Sequence, residues 1–203
     1  MFRDVGIILD VSGSMFSGSG GNETYNEKAV EFINELIKIA SFTQYGSHGA
    51  LVRFGDENLP NDDMLEIKFS DQLDSNGFAE ALNSSLAKGN GGGTDIINAL
   101  DVSLDRMFQT SSGMREDAVK VAVLITDGKD YIDDNENEYT ERGQLFKSRK
   151  IKLLVVGVAD TDSKDLKQLV QSSEDFFQAD KFEDLIGNVT EVIGALICKG
   201  ILL

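Results

Sequence analysis

Three nearly continuous apolar runs, separated by segments of helical periodicity, most constrain how this chain can fold. The runs are Val5–Leu9, Val119–Ile125 and Ile151–Val158, and they consist mainly of valine, leucine and isoleucine. Such runs are typical of strands in parallel sheets, because helices cover both faces of those sheets. Strands that alternate with helices predict an α/β fold around a mostly parallel sheet.

Weaker patterns predict the remaining elements. Further strands are expected at Ala50–Phe54, at Met64–Phe69 as an edge strand, and around Phe176-Phe177. Helices are expected over residues 24–42, 76–88, 95–108, 138–148 and 163–172, and an amphipathic C-terminal helix carries apolar residues from Phe182 to Ile197.

The length of 203 residues suits one sizeable core, and we predict a single domain over residues 1–203. No apolar run is long enough to span a bilayer, and the first ten residues reach an aspartate too soon for a signal peptide. Two interpretations remain: an intracellular protein, or one domain of a longer protein. We favour the second.

Charge and cysteine content restrict the partners. The formal net charge of −16 argues against nucleic-acid binding and against docking on anionic lipid. The single cysteine, Cys198, cannot form an internal disulfide. A free thiol is favoured slightly over a bridge to a cysteine outside this chain. Asn-X-Ser/Thr triplets at 22–24, 83–85 and 188–190 favour a secreted glycoprotein only weakly.

Oxygen-bearing side chains follow two of the predicted strands and a glycine-rich loop. The set comprises Asp10, Ser12, Ser14, Thr94 and Asp127. If the first strand and Val119–Ile125 are neighbours, their carboxyl ends bring Asp10 and Asp127 side by side. Thr94 needs only its loop, GNGGGT, to reach over them.

Two carboxylates and three hydroxyls form a set of hard oxygen donors. Carboxylates that lie close together repel, and a divalent cation removes that cost. Mg²⁺ prefers an oxygen shell and retains water ligands, so we predict Mg²⁺ or Mn²⁺, with Ca²⁺ as a further option. Zinc and copper are poor fits because the set contains no histidine or thiolate.

Other motifs favour less specific interpretations. The acidic segment 130–138 lacks the ligand spacing and closing glutamate of an EF-hand loop. The loop 89–94 has no lysine after its glycines, which disfavours a P-loop. We predict a surface or turn role for the only histidine, His48, and a helix-capping role for Asp95.

The motifs DxSxS at residues 10–14, GGGTD at 91–95 and TDG at 126–128 occur in this order. Together they resemble the metal-ion-dependent adhesion site of von Willebrand factor A domains, which integrin inserted domains share. The resemblance covers essentially the whole chain. It implies a doubly wound, mostly parallel sheet of Rossmann-like type, with one short antiparallel edge strand and helices on both faces.

The resemblance also implies roles for the site residues. Ser12, Ser14 and Thr94 are expected to bind the cation directly, and Asp10 and Asp127 through water or from behind the direct ligands. The implied function is non-enzymatic: the cation coordinates an acidic side chain of a matrix or cell-surface protein. An extracellular or cell-surface location is expected, without membrane insertion.

Two features depart from the family pattern. The loop that follows Ser14 is longer and more polar than expected, and only Cys198 represents the flanking cysteine pair.

Two other functions are weighed beside adhesion. An intracellular assembly domain of the same fold, within a multiprotein complex and with a cytoplasmic location, remains the alternative. A phosphotransfer hydrolase with Asp10 as nucleophile is disfavoured, because such enzymes place a second aspartate where Ser12 stands.

Overall fold

The computed structural model describes residues 2–17, 25–55, 64–87, 92–128, 136–158, 163–179 and 190–199. Its strands are β1 (Arg3–Asp10), β2 (Ser47–Phe54), β3 (Leu65–Ile67), β4 (Val119–Thr126), β5 (Ile151–Val158) and β6 (Phe176–Ala179). They form one sheet in the order β3-β2-β1-β4-β5-β6. Only the pair β2 and β3 is antiparallel. The predicted sheet, with its short antiparallel edge strand, is confirmed.

All helices of the described ranges except the first agree with the predicted segments to within a few residues at most ends. They are α1 (Gly13–Ser17), α2 (Tyr25–Ala40), α3 (Ser75–Leu86), α4 (Ile96–Val102), α5 (Glu136–Ser148), α6 (Ser163–Leu169) and α7 (Thr190–Lys199). The start of the C-terminal helix, predicted near Phe182, lies outside the described residues. No helix in the described ranges combines the length and apolarity needed to cross a membrane.

In two places a predicted element ends early and a different type of helical turn follows it. The edge strand predicted at Met64–Phe69 ends at Ile67, and a 3-10 turn follows in which the Asp71 carboxylate accepts the Lys68 N–H at 2.9 Å. The helix predicted over 95–108 is α-helical only to Val102. A π-helical turn, Ser103–Met107, continues it.

Alternate residues of the strands face two separate apolar cores. Ile7, Leu51 and Val123 lie in the core that α2, α3 and α7 cover. Ile8, Val52 and Leu124 lie in the core that α4, α5 and α6 cover. Both faces of the central strands are therefore buried, which explains their continuous apolar runs.

Gly6 in the middle of β1 allows the π-helical turn to approach the sheet. A Cβ at this position would lie 2.4 Å from Met107 Cε and 2.9 Å from the Phe108 ring. The apolar run is broken by glycine here because the Met107 and Phe108 side chains occupy that space.

At the amino-terminal edge of the sheet, Arg115 holds the buried carboxylate of Asp4. Its Nε and Nη2 donate to Asp4 Oδ1 at 2.9 and 2.6 Å, and its backbone N–H donates to Oδ2 at 2.7 Å. The same guanidinium donates to the Gly46 and Arg3 carbonyls. At this edge too, Arg3 Nε donates to the Ile197 carbonyl of α7 at 2.8 Å.

At the opposite, carboxyl ends of the strands lies the point where strand order reverses. The chain passes from β1 outward to β2 and β3, then returns to β4 on the other side of β1. Leu9 pairs with Ile125 in parallel register. The residues that follow these two positions therefore meet at the crevice where parallel α/β sheets place their ligands.

Candidate metal centre

Asp10 ends β1 and is fully buried. Its Oδ1 accepts the Ser12 backbone N–H at 2.8 Å, and its Oδ2 accepts the Thr126 hydroxyl at 2.6 Å. Both carboxylate oxygens are thus held by neighbours, one from its own loop and one from β4. These two hydrogen bonds fix the orientation of the carboxylate.

Burial raises the pKa of Asp10 from 3.8 to about 7. The hydrogen bonds from Thr126 and Ser12 lower the pKa and offset part of this effect, while the charge of Asp127 raises it. Among the described residues that shift this pKa, none is positively charged. A divalent cation close to the carboxylate would supply a positive charge.

Ser12 and Ser14 flank the start of α1, a short helix that the sequence pattern did not predict. The Met15 N–H donates to the Ser12 carbonyl at 3.1 Å, and the two serine Oγ atoms lie 3.1 Å apart. Ser12 is buried and Ser14 is half-buried. The helical turn brings both hydroxyls together on one side of the loop.

Thr94 is buried and precedes α4. The Asp95 carboxylate accepts the Asn98 N–H at 3.0 Å, so the predicted capping role of Asp95 is confirmed. Two residues before Thr94, the Gly92 carbonyl accepts the Gly13 N–H at 3.2 Å and the Gly92 N–H donates to the Gly55 carbonyl at 2.8 Å. Gly92 thereby joins the segment before Thr94 to the residues that follow β1 and β2.

Asp127 is buried directly after β4. The residue before it, Thr126, donates to Asp10 and accepts the Gly128 N–H at 2.9 Å. Sequence reasoning missed Thr126. A hydroxyl at the end of the most apolar strand, immediately before a candidate ligand, was the available signal.

All five predicted site residues lie at the carboxyl edge of the sheet, on three adjoining loops. In the part of the chain that the structure describes, no three His, Cys, Asp or Glu side chains converge as a metal site. The donors at this edge are instead two carboxylates and three hydroxyls, a set that suits Mg²⁺, Mn²⁺ or Ca²⁺.

His48 lies far from this edge and was partly misjudged. It belongs to β2 and is buried, where a surface or turn position was expected. The strand begins at Ser47, three residues before the predicted start. The prediction placed the start too late because the apolar run in the sequence begins only at Ala50.

Comparison with known proteins gives the family. The model of the von Willebrand factor type A domain matches residues 4–191. This chain is a member of the von Willebrand factor A domain family.

The relatives of this von Willebrand factor A domain include collagens and a cuticlin. Collagen alpha-1(XII) chain of Notophthalmus viridescens is 26% identical over 112 residues, which cover 55% of this chain and 12% of the collagen. Cuticlin-6 of Caenorhabditis elegans is 24% identical over 197 residues, which cover 97% of this chain and 31% of the cuticlin. The chain therefore spans less than a third of each of these two relatives.

A solved structure supports the fold. Proximal thread matrix protein 1 from the mussel byssus, in a structure whose metal-ion-dependent adhesion site (MIDAS) motif is occupied by zinc, superposes with a TM-score of 0.80 at 18% identity. The match covers 97% of this chain and 48% of that protein. At this identity the likeness establishes the von Willebrand factor A fold alone.

Gly55, directly after β2, gives a test of how tightly the domain packs its site loops. It adopts φ +99°, and a Cβ there would lie 2.6 Å from the Ser12 backbone nitrogen and 3.0 Å from Asp10 Oδ1. We expect Gly55→Ala to destabilise the protein by about 1–3 kcal/mol and to weaken cation binding about tenfold, because the methyl group displaces the Ser12 loop. Urea unfolding and calorimetric titration with Mg²⁺ measure the two effects.

Gly77→Ala is the matched control for this substitution. Gly77 lies in the first turn of α3, where a Cβ would approach no heavy atom closer than 3.4 Å. The substitution Gly77→Ala should therefore leave cation affinity unchanged. Equal affinities for the two alanine variants would show that Gly55 does not position the site.

Proposed function

We propose that this von Willebrand factor A domain is an extracellular, non-enzymatic adhesion module that binds a protein ligand through a divalent cation. One observation carries the proposal: a fully buried carboxylate, Asp10, lies beside Asp127 at the strand-order reversal, next to the paired hydroxyls of Ser12 and Ser14. Such an arrangement has a large electrostatic cost unless a cation balances it.

The proposed ligands are the five oxygen-bearing residues of the three sequence motifs. Ser12, Ser14 and Thr94 are proposed to bind Mg²⁺ or Mn²⁺ directly. Asp10 and Asp127 are proposed to balance the charge of the cation through water or from outside its coordination sphere. When bound, the cation offers an open coordination position to a carboxylate oxygen of the partner. The protein itself supplies fixed oxygen donors. Backbone hydrogen bonds join Gly92 to the loops after β1 and β2, and the Thr126 hydroxyl joins the end of β4 to Asp10.

The names of the relatives support an extracellular-matrix role. Collagen, cuticlin and thread matrix proteins share this domain type. We further propose that residues 1–203 form a single domain of a longer, secreted protein. Of the predicted glycosylation acceptors, Asn83 is exposed on α3, and Asn22 and Asn188 lie outside the described residues.

Calorimetric titration of Mg²⁺ and Mn²⁺ into EDTA-treated protein tests the metal centre. Wild type should bind one cation, and Ser14→Ala and Thr94→Ala should each weaken binding at least about tenfold. Ser84→Ala is the matched control, because the Ser84 hydroxyl only donates to the Glu80 carbonyl within α3, at 2.9 Å. Zn²⁺ belongs in the same series, since a related structure contains it. No binding of any of these cations by wild type would refute the proposal.

The acidic partner can be tested on purified matrix proteins. Binding to an immobilised matrix protein should require the cation and should be reversed by EDTA. Amidation of the carboxyl groups of that protein should abolish the interaction, because it replaces the negatively charged carboxylate with a neutral amide that binds the cation far more weakly. Binding that survives both treatments would contradict a cation-bridged contact.

A further inference from the structure

Thr126 occupies a distinctive position between the two carboxylate-bearing segments of the candidate site. It ends β4 and is fully buried. Its hydroxyl donates to Asp10 Oδ2 at 2.6 Å and accepts the Gly128 N–H at 2.9 Å. A single oxygen atom therefore contacts both the side chain at the end of β1 and the backbone that follows Asp127.

These two hydrogen bonds restrict both carboxylates. With Oδ1 held by the Ser12 N–H and Oδ2 by Thr126, the Asp10 side chain cannot rotate without losing a buried hydrogen bond. The bond from Gly128, which adopts φ +71°, fixes the turn that carries Asp127. Both restraints depend on the same hydroxyl group.

We propose that Thr126 is a positioning residue of the metal centre, which sets the placement of Asp10 and Asp127 before the cation binds. The inference rests on the proposed function and assigns Thr126 no contact with the cation. Outer groups that orient metal-binding side chains commonly change metal affinity by about 10–100-fold when they are removed.

Substitution of Thr126 separates positioning from simple packing. Thr126→Val keeps the shape and removes both hydrogen bonds, whereas Thr126→Ser keeps the hydroxyl. In calorimetric titrations with Mg²⁺ we expect Thr126→Val to weaken binding at least about tenfold and Thr126→Ser to stay within about threefold of wild type.

Ser103→Ala is the control for loss of a buried hydroxyl. Ser103 is fully buried and donates to the Ala99 carbonyl of α4 at 2.7 Å. The Ser103→Ala variant should be less stable in urea than wild type and should bind Mg²⁺ with unchanged affinity. Equal Mg²⁺ affinities for Thr126→Val and wild type would overturn the inference and leave the proposed function standing. A wild type that binds no cation would instead refute the proposed function.

Amide hydrogen exchange in EDTA provides a second test that needs no variant. The Gly128 N–H should exchange slowly in the cation-free wild type, because it is already bonded to Thr126. Fast exchange of this amide, with slow exchange in the neighbouring strand β4, would show that the arrangement does not precede cation binding and would overturn the inference.

Discussion

Asp10→Asn is expected to stabilise the cation-free protein at pH 8 and to abolish its stabilisation by Mg²⁺. The pKa of Asp10 is raised from 3.8 to about 7, so between these values the folded protein binds more protons than the unfolded chain. Stability therefore falls as pH rises through this window. The shift corresponds to a penalty of roughly 4 kcal/mol above pH 7, which the neutral asparagine avoids.

Urea unfolding in EDTA at pH 5 and pH 8 measures the first effect. Wild type should lose stability between the two values, and Asp10→Asn should lose much less. Mg²⁺ at one hundred times its dissociation constant should then raise the free energy of unfolding of wild type by about 2.7 kcal/mol. It should leave the stability of the variant unchanged.

Glu31→Gln controls for the change in net charge. Glu31 is an exposed residue of α2 that pairs with Lys28 at 3.2 Å, so its neutralisation should alter neither the pH dependence nor the response to Mg²⁺. Parallel pH profiles for wild type and Asp10→Asn would contradict the prediction.

Arg115→Met is expected to destabilise the protein by about 3–5 kcal/mol, because it leaves the fully buried Asp4 carboxylate without its charged partner. Only the backbone N–H of residue 115 would still donate to that carboxylate. The double variant Asp4→Asn with Arg115→Met should recover much of the loss, since no uncompensated charge remains. A double-mutant cycle in urea measures this coupling.

Cation affinity serves as the internal control for Arg115→Met. Asp4 and Asp10 lie six residues apart along β1, which corresponds to about 20 Å between the two edges of the sheet. The variant should therefore bind Mg²⁺ like wild type at temperatures where it is folded. If Arg115→Met lowered the free energy of unfolding by less than about 1 kcal/mol, the prediction would be contradicted. Water would then replace the guanidinium at Asp4.

Sequence periodicity was sufficient for the sheet and its flanking helices. Runs such as Val119–Ile125 are visible because both faces of a central parallel strand are buried. Short elements escaped this reasoning: α1 has five residues, too few to display a period of 3.6. The shortening of the predicted helix 95–108 to Ile96–Val102 reflects a change to π-helical hydrogen bonding, which apolar spacing does not reveal.

Sequence reasoning predicted the candidate ligands but missed the residues that position them. Asp10 and Asp127 stand out because carboxylates at the ends of apolar strands need an explanation. Thr126 and Gly55 act through contacts with residues more than forty positions away. Such contacts depend on which strands are neighbours and on their register, and a single sequence specifies neither.

The direction of β1 has a mechanical consequence for the proposed binding of a matrix partner. β1 runs from Arg3, beside the Ile197 carbonyl of α7, to Asp10 at the candidate site. Tension between a partner bound at the candidate site and an attachment at the amino-terminal end of β1 would pull β1 along its own axis. Because β1 pairs with β2 on one side and β4 on the other, such a force loads both hydrogen-bond ladders in shear. Many hydrogen bonds must then yield together, whereas peeling an edge strand breaks them one after another.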